Sequence, residues 1–143
     1  MPQIPEPPKR LGDEVVQLRA IAEWDIPEIL IAYQDDPQLH QRLGEARPPT
    51  GALLGREVEQ AEQRRQQGVG ISLTLVQPGG SDCRGRLRVA EIDWELGSAE
   101  LSVWVAPGFR GRGYADHALE LASAWLLESV GLGALRVGAV VDA

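Results

Sequence analysis

Between Val103 and Ala115 the chain passes from an alternating apolar run, through a turn holding Gly108, Gly111 and Gly113, into a long helical pattern. Ala115, Ala118, Leu119, Ala122, Trp125, Leu126 and Val130 recur at i, i+3, i+4 and i+7, the spacing of one buried helix face. Gly131 and Gly133 end that helix, and Leu135 to Val141 reads as a further strand. Strand, crossover helix and strand set the two strands parallel in one sheet, by the right-handed rule for such connections. No other stretch limits the possible folds as much.

The remaining residues supply the other strands. Val15 to Arg19 reads as a short first strand, and Asp25-Ile-Pro-Glu28 has the form of a capping box opening a helix that buries Ile29, Leu30, Ala32 and Tyr33. Asp36 and Pro37 open a second short helix, closed by Gly44. Thr50 caps a third helix running to about Gln67, whose mixed charges face water. The period then changes to two. Ile71, Leu73 and Leu75 alternate with Ser72 and Thr74, a hairpin connection follows over Gln77 to Gly85, and Leu87 to Glu95 and Glu100 to Val105 complete an antiparallel meander. Alternation slips by one between Val89 and Ile92, which predicts a bulge there. The fold class is therefore α/β, an α+β mixed sheet with an antiparallel meander and a parallel last pair. Residues 1–13, with Pro2, Pro5, Pro7 and Pro8, are expected to form an extended or disordered, flexible tail, and 14–143 one domain.

At the glycine-bearing bend, backbone N–H groups and the start of a helix converge, a geometry that receives phosphate oxygens. Arg110 and Arg112 would bring charge to its rim. The alternative is a tight surface turn whose arginines face water. It is not a Walker loop, because no Gly-Lys-Ser/Thr follows, and the dinucleotide fingerprint fails on glycine spacing. With 14 basic and 21 acidic residues the net charge is -7, which argues against nucleic acid or an anionic membrane as partner. A single cysteine, Cys83, suits a reducing compartment, and with neither a signal pattern nor a long apolar run the expectation is a cytoplasmic protein. No His, Cys and carboxylate cluster has metal-ligand spacing, so no metal is expected.

Arg110-Gly-Arg-Gly-Tyr-Ala115 resembles the Arg/Gln-x-x-Gly-x-Gly/Ala signature of the GNAT superfamily of acyl-CoA N-acyltransferases. The run from Ser98 to Leu119, with Trp125 and Gly131 to Val137, is similar to the subgroup that acetylates ribosomal-protein N-termini, and the likeness covers about residues 15–141. It implies acetyl-CoA as cosubstrate and a primary amine, from a small molecule or a protein N-terminus, as acceptor. The diphosphate would rest on the backbone of Arg110, Gly111, Arg112, Gly113, Tyr114 and Ala115. The pantetheine arm would pair beside Val103, Trp104 and Val105, in a gap where that strand and the following parallel strand splay apart. A neutral amine is scarce at pH 7, about one molecule in 10³ to 10⁴ for a pKa near 10.4, so a base is useful.

Glu100 is the favoured catalytic residue, with Glu91, Asp93 and Glu95 as the other candidates, and a backbone N–H near Val103 would stabilise the tetrahedral intermediate. Trp24, Trp94 and Trp104 either line an acceptor cleft or half-bury in the sheet, and His40 and His117 read as solvated. The family ordinarily continues past this point to an asparagine, a tyrosine-bearing helix and two more strands. The chain is thus expected to be a C-terminally incomplete domain, its last strand covered by a second copy or a partner segment. A non-catalytic CoA-binding or protein-interaction module is the alternative function.

Overall fold

The computed structural model describes residues 2–143. Six strands form one sheet in chain order: β1 (Leu11–Gly12), β2 (Gln17–Ala20), β3 (Ile71–Val76), β4 (Gly85–Asp93), β5 (Ser98–Val105) and β6 (Ala134–Val141). All neighbours are antiparallel except β5 and β6, which are parallel and joined by helix α4 (Tyr114–Trp125). The mixed sheet and its crossover thus follow the sequence pattern. The predicted bulge lies between Ala90 and Asp93, where Glu91 takes φ 49°.

Period-two alternation gives the sheet two unlike faces. Leu18, Leu73, Leu75, Leu87, Val89, Leu101, Val103 and Val105 pack under α4 in one dry cluster. Ser72, Thr74, Arg86, Arg88, Glu100 and Ser102 occupy alternate positions, and their face meets α1 (Ile26–Asp35), α2 (Leu39–Arg42) and α3 (Gly51–Gln66). Apolar packing there is confined to one end, where Trp104 and Val141 join Ile29, Tyr33, Leu39 and Leu54. Thr50 caps α3 as expected, its Oγ1 accepting from the Leu53 N–H at 3.1 Å. Beyond Trp125, α4 widens into a π turn over Leu126–Val130 and stops at Gly131, φ 90°.

Four local expectations differ from what is found. Asp25 does not cap α1. It closes a one-turn 3-10 segment (Glu23–Asp25) by accepting from the Ala22 N–H at 2.9 Å, and it is fully buried beneath the Arg19 guanidinium (2.7 and 2.9 Å) and Thr74 Oγ1 (2.7 Å). A buried carboxylate with four donors is drawn into the fold rather than left at a helix end. The strand expected from Val15 is β2 and starts only at Gln17, because Val15 and Val16 are held in a turn by Asp13 Oδ1. The proline-rich segment is extended but docked. Ile4 is fully buried, its backbone exchanging hydrogen bonds with the Arg65 carbonyl (3.1 Å) and guanidinium (2.6 Å), and Leu11–Gly12 pairs with β2. Finally, β5 and β6 do not splay. A register shift between Leu101 and Val103 sets Gly138 and Ala139 against Ser102, and pairing resumes at Val103–Val140 and Trp104–Val141. Burial of the Val141 side chain holds the strands together there.

Replacing Asp25 by Ala strands a partly covered guanidinium and a buried hydroxyl, so urea unfolding should show a loss of about 3 kcal/mol. A second outcome concerns the ion pair of His117 Nδ1 in the first turn of α4 with Asp13 Oδ2, 2.7 Å. The Asp13 hydrogen bond raises the His117 pKa, so its contribution is complete below the ordinary 6.5 and is lost as pH climbs through the folded value. Burial opposes the ionised form of Asp13, but hydrogen bonds from Val16, His117 and Val15 lower its pKa. Its contribution is present above the ordinary 3.8 and is lost in acid. The clasp is strongest between those limits, and His117→Gln should remove the fall in thermal stability as pH rises through neutrality.

Candidate functional site

The bend between β5 and α4 takes the shape its glycines permit. Gly111 and Gly113 adopt φ 76° and 84°, a region that costs a residue with a side chain roughly 1–2 kcal/mol. Gly108 needs no such freedom and lies in a 3-10 turn over Pro107–Phe109. The N–H groups of Gly111 and Ala115 consequently aim at one point, and the Asp142 carboxylate stands there. Gly111 donates to Asp142 Oδ1 and to its backbone carbonyl, each at 3.1 Å, and Ala115 donates to Oδ2 at 3.1 Å. Two main-chain donors on the two oxygens of one anion, at the start of a 12-residue helix, make an anion receptor.

Arginines around the bend divide in role. Arg110 is not on the rim: its Nε donates to the Val105 carbonyl and its Nη2 to Asp36 Oδ2, both at 2.8 Å, tying the end of β5 to the end of α1. Burial opposes ionisation of Asp36, yet the Arg110 hydrogen bond holds its carboxyl below the usual carboxylate range. Arg112 remains at the rim, 5.6 Å from the Phe109 ring centre. Arg84 approaches the same ring at 4.2 Å and donates to the Tyr114 hydroxyl at 2.6 Å.

The alternate face of β5 carries the polar chemistry. Val103 and Val105 are fully buried under α4, whereas Trp104 turns the other way and meets Tyr33 edge-on at 5.8 Å. Glu100 and Ser102, half-buried, line a cavity of about 150 Å³ together with Leu43, Arg88, Ala90, Glu91 and Trp104. Arg136 on β6 lies between two carboxylates, its Nη2 donating to Glu91 at 2.6 Å and its Nε 3.3 Å from Glu100. Gly138 makes the arrangement feasible, since a Cβ there would stand 2.8 Å from Ser102 Oγ and 3.0 Å from Glu100 Cδ. A larger cavity of about 360 Å³ opens beneath α3 and shares Arg88 and Ala90 with the first.

Of the candidates raised from sequence, Glu100, Glu91 and Trp104 share one cavity, while Trp94 bonds the Gly68 carbonyl and Trp24 lies exposed near Arg19. His117 is paired with Asp13 rather than solvated, and His40 Nδ1 is buried without a partner among the described residues. Burial pushes the Cys83 thiol up to about 12, which leaves it a poor nucleophile. Among the described residues no group of three or more His, Cys, Asp or Glu side chains is placed to hold a metal ion. Asp142, Arg136, Gly138 and Arg84 escaped the sequence reading because each reaches the site across the sheet. Only the alternation of β4, which sets Arg86 and Arg88 on the Glu100 face, was open to inspection.

No curated protein matches the chain in sequence. Among solved structures it is similar to the ribosomal-protein-S5-alanine acetyltransferase of Vibrio fischeri, with 13% identity over 88% of this chain and 71% of that one, TM-score 0.74. It is likewise similar to the ribosomal L7/L12 alpha-N-protein acetyltransferase RimL, with 17% identity over 87% and 67% and the same TM-score of 0.74. The third, RimJ of Mycobacterium smegmatis in complex with CoA-disulfide, shares 17% identity over 87% and 62%, TM-score 0.67. At such identities the likeness is one of fold. The family model of the acetyltransferase (GNAT) domain matches residues 16–143, a span that takes in the bend, strands β2 to β6 and both cavities. On that match the chain belongs to the GNAT acetyltransferases.

Proposed function

We propose that this protein transfers an acetyl group from acetyl-CoA to a primary amine, such as a protein N-terminus. The observation that carries the reading is the grip of the Gly111 and Ala115 N–H groups on a carboxylate. A receptor that holds two oxygens of Asp142 has the chemistry to hold two oxygens of a diphosphate, and Arg112 at the rim adds charge. Membership of the family supports the choice of anion, as does the neighbour solved with CoA-disulfide. The reading carries with it a reducing, cytoplasmic setting.

In this scheme the donor displaces Asp142, and the last residues of β6 lift from Val103 and Trp104, freeing β5 to pair with the pantetheine arm. The acceptor nitrogen approaches along the Glu100 face. Its attack on the thioester carbonyl forms the C–N bond, Glu100 takes the amine proton directly or through water, and collapse expels the CoA thiolate. Arg136 and Gly138 act as positioning residues, one orienting the carboxylate and the other leaving it room.

A second reading, a non-catalytic module, draws on the outer edge of β6, where Val137 and Val140 are 55% and 42% exposed. A strand edge of this kind invites a further strand from a second copy or a partner segment. It predicts CoA binding without turnover and a concentration-dependent dimer by sedimentation.

Calorimetry with acetyl-CoA separates the schemes from a plain surface turn. Wild-type protein should bind, and Asp142→Ala should bind about 10-fold more tightly, because the internal competitor is gone. Equal affinities would show that the carboxylate does not occupy the donor site. Glu100→Gln should leave acetyl-CoA affinity unchanged while lowering kcat by about 10²-fold. A turnover rate insensitive to that change removes Glu100 from the chemistry.

A further inference from the structure

The polar face of the sheet holds more positive charge than acetyl transfer itself calls for. Register sets Arg88 between Ser72 and Ser102, and Arg86 between Thr74 and Trp104, so both guanidinium groups rise from the same face beneath α3. Arg64 on α3 joins them at the larger cavity. Arg86 is only 4% exposed, its Nε donating to Ser72 Oγ at 2.6 Å and its Nη2 paired with Glu57. Arg88 shares Glu57 at 3.1 Å and reaches Glu45 at 3.6 Å. Arg64 makes no ion pair among the described residues. Three cations thus meet two carboxylates. Burial, and then repulsion from Arg88, lower the Arg86 pKa even with Glu57 beside it. The cation left over, Arg64, is exposed and lines this cavity, where it adds to the attraction of the two partly covered arginines for an anion.

This basic cavity and the Glu100 cavity share Arg88 and Ala90 as a common wall. Ala90 pairs with Glu100 and Arg88 with Ser102, which makes Glu100 and Arg88 diagonal neighbours, about 7–8 Å apart. Two residues of extended peptide span about 7 Å. Arg136 already pairs with Glu91 and Glu100, and further in Glu57 is taken by Arg86 and Arg88. An acceptor with a second positive charge would therefore meet no unpaired carboxylate among the described residues that line the two cavities.

We propose that the acceptor is a peptide N-terminus bearing an acidic side chain about two residues beyond the reacting amine. The amine stands at Glu100, and the carboxylate reaches Arg88 and Arg64 in the basic cavity. This assignment of substrate class rests on the transferase reading above and extends it from any primary amine to one followed by an anion.

The test is equilibrium binding to the full chain, with Ser-Ala-Glu-Glu amide, Ser-Ala-Lys-Lys amide and spermidine as probes, at low and at physiological ionic strength. The acidic peptide should bind at least about 10-fold more tightly than the basic one. That advantage should shrink with salt, and it should vanish in Arg64→Glu, an exposed substitution on α3 whose folding circular dichroism verifies. Equal affinity for the two peptides, tighter binding of spermidine, or an acidic preference untouched by Arg64→Glu overturns the proposal. A parallel titration with acetyl-CoA keeps the two ideas apart. Absence of acetyl-CoA binding beside a retained acidic preference sinks the transferase reading and leaves the peptide site standing.

Discussion

Alternation along β5 is the constraint from which the rest of the molecule follows. Odd-numbered residues from Ala99 to Val105 are buried in the α4 cluster and fix the strand between β4 and β6. Even-numbered residues, Glu100, Ser102 and Trp104, are thereby committed to the opposite face, where Trp104 packs on Tyr33 while Glu100 and Ser102 line a cavity with Leu43 and Arg88. One face spends its area on dry packing and the other is left with room, charge and water access. A slip of one residue would exchange the two sets and put Glu100 into the core.

Much of the architecture was legible in local pattern. The parallel pair, the crossover helix, the Thr50 cap and the bulge near Glu91 each depend on residues close together in the chain, and each was found where spacing put it. The bend was legible for the same reason, since Gly111 and Gly113 announce its backbone conformation. What could not be read are features made by residues far apart. Asp25 looked like a helix cap because its partners Arg19 and Thr74 come together only when β2 lies beside β3. Arg110 looked like a rim residue until the end of α1 brought Asp36 to it. The strand splay implied by resemblance is replaced by a bulge, since Val141 finds a buried seat beside Trp104 that spacing alone does not reveal.

Charge is distributed with the same economy. Of the arginines near the candidate site, Arg110, Arg86 and Arg136 are engaged with Asp36, Glu57 and Glu91, and each of those carboxyls is held below its usual range once burial is overcome where it acts. Arg112 and Arg64 are free of carboxylates among the described residues, one beside the bend and the other beside the basic cavity. A chain with a net charge of -7 thus keeps an arginine without a carboxylate partner, among the described residues, at each of two separate places.

Gly111 bonds both the side chain and the main-chain carbonyl of Asp142, so the start of α4 and the end of β6 are fastened by a single joint. Whatever anion enters that joint must also decide how far the sheet's last parallel seam stays closed. Occupancy and shape are then one equilibrium, and a small molecule seated at the helix start would be felt as a change of slack along the edge of the sheet.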